Sequence, residues 1–214
     1  MTREAKQPDR TGDERWRELA HLAAVVLTVG LLTGLSPACG GGDNGGGTST
    51  TPCLQYESSG VPNGISVTTV DGDSGECDFL FVDLIVHDVQ DLYTANIVAT
   101  YPSSVVRFSS ATGLDSVLTL DNTAVDVEVR VTGSGEVTLA ITRVGADAGV
   151  NVDAAGAKLI RLVFTRVGSS GSGDLAFTTG ELIDSGDPPQ QIPPQQIPIP
   201  ITSWFGGTIG IIQI

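Results

Sequence analysis

The chain has 214 residues, enough for one domain with appendages, and its 25 acidic against 11 basic side chains give a net charge of −14. The first 38 residues hold five charges of each sign, so the remainder carries six basic and twenty acidic groups. That balance argues against nucleic acid and against anionic membrane surfaces as partners, and the scattered placement of the carboxylates reads as a solvated acidic surface.

Met1–Glu18 is polar and mixed in charge, and Leu19–Leu35 (LAHLAAVVLTVGLLTGL) is an apolar run. It is short for a bilayer span of ~20 residues and suits the core of an export signal. Ser36-Pro37-Ala38-Cys39 follows and resembles a bacterial lipoprotein cleavage site, in which the cysteine is acylated and becomes the new N-terminus. Leu35 stands four residues before Cys39, where such sites have their leucine three before. Residues 1–38 are therefore expected to be a lipoprotein-type signal peptide, with Cys39 the lipidated residue. Residues 39–60, which open with CGGGDNGGGTSTTP, cannot bury apolar area and are expected to be a flexible tether.

Cys53 and Cys77 remain as an even pair. In an oxidising compartment they are expected to join, and a loop of that size adds ~3–4 kcal/mol on the chain-entropy account. Two free thiols is the competing reading. Two cysteines with no histidine cluster make a poor metal set.

After Pro62-Asn63-Gly64, Ile65–Val70 reads as a short strand. Asp71, Asp73 and Glu76 then crowd one turn. They are a lesser candidate for Ca²⁺, which needs six to eight oxygens, but the EF-hand order of ligands is missing and an acidic hairpin turn explains them as well.

Phe79–Phe108 (FLFVDLIVHDVQDLYTANIVATYPSSVVRF) is the most strongly patterned stretch. Leu80, Val82, Leu84 and Val86 fall on one side of a period-two strand. Ala95, Ile97, Ala99 and Tyr101 do the same in a second strand, which Pro102 ends. Val105–Phe108 resumes an extended run, and Val117–Leu120 reads as another strand. Val125, Val127, Val129 and Val131 alternate with Asp126, Glu128 and Arg130. Gly133-Ser134-Gly135 turns the chain, and Val137, Leu139 and Ile141 alternate with Thr138, Ala140 and Thr142, completing a hairpin. Each strand shows one buried and one wet face.

Gly145–Gly156 reads as a small-residue loop with room for one helical turn, and Lys158–Val167 as a long central strand. Leu175–Ile183 is a strand interrupted by Gly180. The Pro/Gln-rich loop at 187–200 contains PPQQI twice and cannot enter a sheet interior. Trp204-Phe205 leads into a last strand, Thr208–Ile214. The expectation is an all-β fold: a two-sheet antiparallel sandwich over residues 61–214, with about nine strands.

Val82-Asp83-Leu84-Ile85-Val86, Val89-Gln90-Asp91-Leu92, Tyr101-Pro102 and Leu162-Val163-Phe164 together resemble cohesin domains, over Ile65–Ile214. The acidic residue usual between that tyrosine and proline is missing. The resemblance implies a jelly-roll topology and a non-enzymatic role in holding dockerin modules. The chain has no dockerin-type paired calcium loops, so it would be the receptor. Asp126, Glu128 and Arg130 could be contacts or a plain solvated face.

Jelly rolls of the same superfamily also bind carbohydrate, which makes a module for polysaccharide recognition or degradation the alternative. Such sites need exposed aromatics, and Tyr56, Tyr93, Tyr101 and Trp204 are all that remain beyond phenylalanine. Catalysis has little to build on. His87 is the one histidine after the signal, on a predicted strand; there is no Gly-x-Ser-x-Gly elbow and no phosphate loop. Nothing selects a pair among the carboxylates. No cofactor is implied.

Overall fold

The computed structural model describes residues 50–73, 76–133, 135–145, 148–186, 198–201 and 203–214. The expected signal at 1–38, Cys39, the tether over 39–49 and both PPQQI repeats lie outside them.

Thirteen strands occur among the described residues. In chain order they are β1 (Pro52–Ser58), β2 (Ser66–Asp71), β3 (Phe79–His87), β4 (Val89–Thr100), β5 (Val106–Thr112), β6 (Ala124–Val131) and β7 (Glu136–Val144). Then come β8 (Val150–Val152), β9 (Ala157–Arg166), β10 (Ser172–Asp184), β11 (Pro198–Ile199), β12 (Ser203–Trp204) and β13 (Gly207–Gln213). One sheet runs β1-β13-β10-β4-β7-β6, with β8 added to β4 and β11 to β10; the other runs β12-β2-β3-β9-β5. All pairings are antiparallel except β12 with β2. The chain changes sheet between β1 and β2, β3 and β4, β4 and β5, β5 and β6, and again on either side of β9 and of β12. This alternation makes a jelly-roll sandwich.

The alternation read from the sequence is what closes the two layers. Leu80, Val82, Leu84 and Val86 of β3 are buried, facing Ala95, Ile97 and Ala99 of β4 and Val137, Leu139 and Ile141 of β7. Phe164 of β9 is fully buried, with the rings of Tyr101 and Phe108 at 5.5 and 5.8 Å. A shift of register in β9 next to Leu84/Ile85 turns both Leu159 and Ile160 inward, where strict alternation places them on opposite faces.

Several elements differ from the sequence reading. Residues 52–58, inside the expected tether, form β1 along the whole of β13, because Leu54 and Tyr56 supply buried side chains to it. The expected strand Val117–Leu120 is instead a 3-10 turn over Val117–Asn122. Ser116 caps it by accepting from the Leu118 N–H and donating to the Leu159 carbonyl at 2.6 Å, and Asp121 and Asn122 take left-handed backbone angles that a strand excludes. Arg143, buried on β7, holds this turn by donating to the Leu118 carbonyl and Thr123 Oγ1. The loop 145–156 contains β8, and no helical turn occurs among its described residues. Gly180 does not break its strand. It lies inside β10 with the Trp204 ring against it, where a Cβ would come within 2.0 Å of a ring carbon.

Cys53 and Cys77 are joined by a disulfide, and Leu54 N–H donates to the Cys77 carbonyl at 3.0 Å. The bond ties β1, on one sheet, to the segment that enters β3, on the other.

Candidate binding face

Cross-strand register brings residues far apart in sequence into rows. Asn96 of β4 lies between Glu181 of β10 and Ala140 of β7, and Ala140 faces Glu128 of β6. The neighbouring rows are Thr179-Val98-Thr138-Arg130 and Ile183-Thr94-Thr142-Asp126. Their strand neighbours Ala95, Ile97, Leu139 and Ile141 point into the core, so these rows form the outer face of the sheet. Its centre is Thr138, Ala140, Thr142, Val98 and Asn96, all half-buried with short side chains. Its margin is exposed Asp126, Glu128, Arg130 and Glu181. Thr94 Oγ1 donates to Thr142 Oγ1 at 3.2 Å, and Thr178 donates to the Val98 carbonyl, so part of this face's polar surface is already satisfied locally. The alternation in β6 and β7 was legible as a wet face. Its completion by β4 and β10 depends on sheet order, which the sequence does not print.

The outer face of the other sheet is different. Arg161 Nε and Nη2 donate to the two carboxylate oxygens of Asp83 at 2.6 and 2.7 Å, and the guanidinium lies 5.2 Å from the Phe81 ring centre. The paired carboxylate, foremost through these hydrogen bonds, holds the Arg161 guanidinium above its usual range.

The other sequence candidates take structural places. His87 is buried; one ring nitrogen lies 2.9 Å from Thr68 Oγ1 and the other 3.3 Å from the Ala154 carbonyl. Asp71 Oδ1 accepts the Asp73 N–H, a local turn bond, and no group of three His, Cys, Asp or Glu side chains able to hold a metal ion occurs among the described residues. Tyr56 and Tyr101 are buried. Trp204 pairs with Phe177 at 5.3 Å between ring centres and packs against the core, so these three aromatics are not set out as a stacking platform. Burial pushes the Tyr56 hydroxyl up to about 12, against the opposing effect of its hydrogen bond with Thr69.

Two open clefts flank the sandwich end. One of about 610 Å³ is lined by Gln90, Ser116, Thr119, Asn151 and Asp153, together with Lys158, which pairs with Asp115 at 3.4 Å. The second, about 450 Å³, includes His87, Thr68 and Ile85. No nucleophile in either is held by a base that a carboxylate in turn orients.

No protein-family model matches the chain, and no curated protein matches it. Solved cohesin modules are similar to it in structure. The cohesin module of a family 33 glycoside hydrolase from Clostridium perfringens overlays with a TM-score of 0.42 at 13% identity, over 77% of this chain and 97% of that one. A non-cellulosomal cohesin from the archaeon Archaeoglobus fulgidus gives 0.44 at 15% identity, over 73% and 88%. The sixth cohesin of scaffoldin B from Acetivibrio cellulolyticus, solved with a dockerin, gives 0.42 at 12% identity, over 66% and 95%. At these scores and identities no residue role transfers.

Proposed function

We propose that this chain is a non-enzymatic binding module, exported and held at the cell envelope by a lipid on Cys39, with a dockerin-type protein module as its partner. The tether after Cys39 gives reach and the sandwich gives the grip. The cohesin-like motifs from Val82 to Phe164 motivate the class of partner. The observation that carries the reading is the outer face centred on Ala140. Short threonine, alanine and valine side chains lose little rotamer freedom when covered. They also let a partner approach the sheet closely, and the charged margin of Asp126, Glu128, Arg130 and Glu181 can set its orientation.

The test is titration of the chain with purified, calcium-loaded dockerin modules of its own host, followed by calorimetry. Saturable binding that Ala140→Arg abolishes, with the thermal midpoint of the chain unchanged, is the expected result. Failure of every such module to bind would overturn the partner class. Anchoring is tested separately: labelled palmitate should enter the chain when it is expressed in a bacterium that processes lipoproteins, and Cys39→Ala should prevent this. Labelling that persists in the Cys39→Ala chain would overturn the anchor.

A further inference from the structure

Among the described residues β6 ends its sheet, with β7 on one side and no strand on the other. A free edge of this length is usually guarded by charge, and β6 carries three charged side chains. Its apolar side is incompletely covered. Val125 and Val127 pack beside Gly113, while Val129 and Val131 are 41% and 50% exposed.

The backbone says which groups the edge offers. Thr132 N–H donates to the Glu136 carbonyl, so this pair is a hydrogen-bonded one in the β6–β7 ladder. The ladder keeps its register from Ala124↔Val144 to Val131↔Val137. Hydrogen-bonded and non-bonded pairs alternate along an antiparallel ladder, so the even-numbered residues bond to β7. Val125, Val127, Val129 and Val131 therefore turn their N–H and C=O groups outward.

A second copy of β6 can satisfy these groups by pairing antiparallel about a two-fold axis. Five registers are centred on residues from Asp126 to Arg130, and the charges separate them; centring on Asp126 sets it against itself. Centring on Val127 sets Asp126 against Glu128 of the second copy, twice. Centring on Glu128 sets Asp126 against Arg130 twice but Glu128 against itself at the centre, and centring on Arg130 sets arginine against arginine. Centring on Val129 sets Glu128 against Arg130 of the second copy, and Arg130 against Glu128. Both are non-hydrogen-bonded pairs, whose Cα atoms lie about 4.5 Å apart and whose side chains are closest. The same register stacks Val129 on Val129 and Val127 on Val131, covering the two exposed valines.

We propose that β6 is a self-association edge: two copies of this chain pair through it, in the register centred on Val129, and their two sheets become one. The partner is a second copy because the strand can face itself with opposite charges paired and no like charges opposed, in the register centred on Val129 alone. The contact is small and the chain strongly acidic, so the dimer is a weak one that dissociates on dilution. The outer face around Ala140 stays uncovered, and the inference stands whatever that face binds.

Sedimentation velocity on the full chain over a range of concentrations tests this. The dimer fraction should rise with concentration. Glu128→Arg and Arg130→Glu should each raise the dissociation constant about tenfold or more, since both pairs become repulsive. Mixing these two variants in equal amounts should restore association, because each then supplies the charge the other lacks, and the doubly exchanged chain should associate like the original. The mixture also shows that both variants are folded. A chain that stays monomeric throughout, or single variants that associate as well as the original, would overturn the proposal.

Discussion

On the outer face of the β2-β3-β9-β5 sheet, Arg161 reaches across from β9 to clasp Asp83 and covers Phe81. On the outer face of β10-β4-β7-β6, Thr138, Ala140 and Thr142 stand in a short-chained row with charge only at the margin. The first face spends its polar groups on itself. A partner landing there would have to break a two-pronged ion pair or bury it intact, and either is costly. The second asks a partner to displace water from short side chains over a rigid sheet. The difference teaches that strand alternation makes two wet faces, while the length and pairing of the wet side chains decide which can dock.

The largest way to disturb both faces together is the disulfide, which ties the sheets. Cys53→Ala with Cys77→Ala should lower the unfolding free energy by ~3 kcal/mol, measured by denaturant titration. Breaking the self-paired face comes next. Asp83→Ala strands a guanidinium and should cost ~2 kcal/mol, reduced from the fully buried case because the Arg161 side chain is 29% exposed. If Asp83→Ala were neutral, the contrast between the faces would lose its energetic basis.

A similar amount rests on Tyr56. Its hydroxyl titrates at about 12 in the fold against 10.0 for the free side chain. Below pH 10 it is protonated in both states and its contribution is complete. As pH rises from 10 through 12 the unfolded chain loses the proton first, so ~2 kcal/mol of stability disappears over that window. Tyr56→Phe should remove that part of the alkaline loss. An unchanged pH profile in the variant would show that another group is responsible. The smallest effect belongs to the bare face: Thr142→Val removes one 3.2 Å hydroxyl contact and should stay within about 0.5 kcal/mol of the original.

Much of this architecture was legible because period-two patterning is strong wherever a strand has one buried side, as in Leu80–Val86 and Val137–Ile141. What escaped has identifiable causes. Pro52–Ser58 sits next to a polar, glycine-rich run, and its partner β13 lies at the far end of the chain. β8, β11 and β12 are too short to show a period. Val117–Leu120 has the composition of a strand, and only Ser116 together with the left-handed Asp121-Asn122 pair betrays a turn. The candidate face was half readable. β6 and β7 announced it, while Asn96 and Val98 joined it through a sheet order that local pattern does not encode. The exposure of Val129 and Val131 was not readable at all, because it depends on where the opposite sheet stops.

Amide chemical-shift mapping with a purified dockerin module compares the two faces in one experiment. The account predicts shifts concentrated on Asn96, Val98, Thr138 and Ala140, with Asp83, Ile85 and Arg161 unmoved. Shifts centred on Asp83 and Arg161, or none at saturating dockerin, would contradict it.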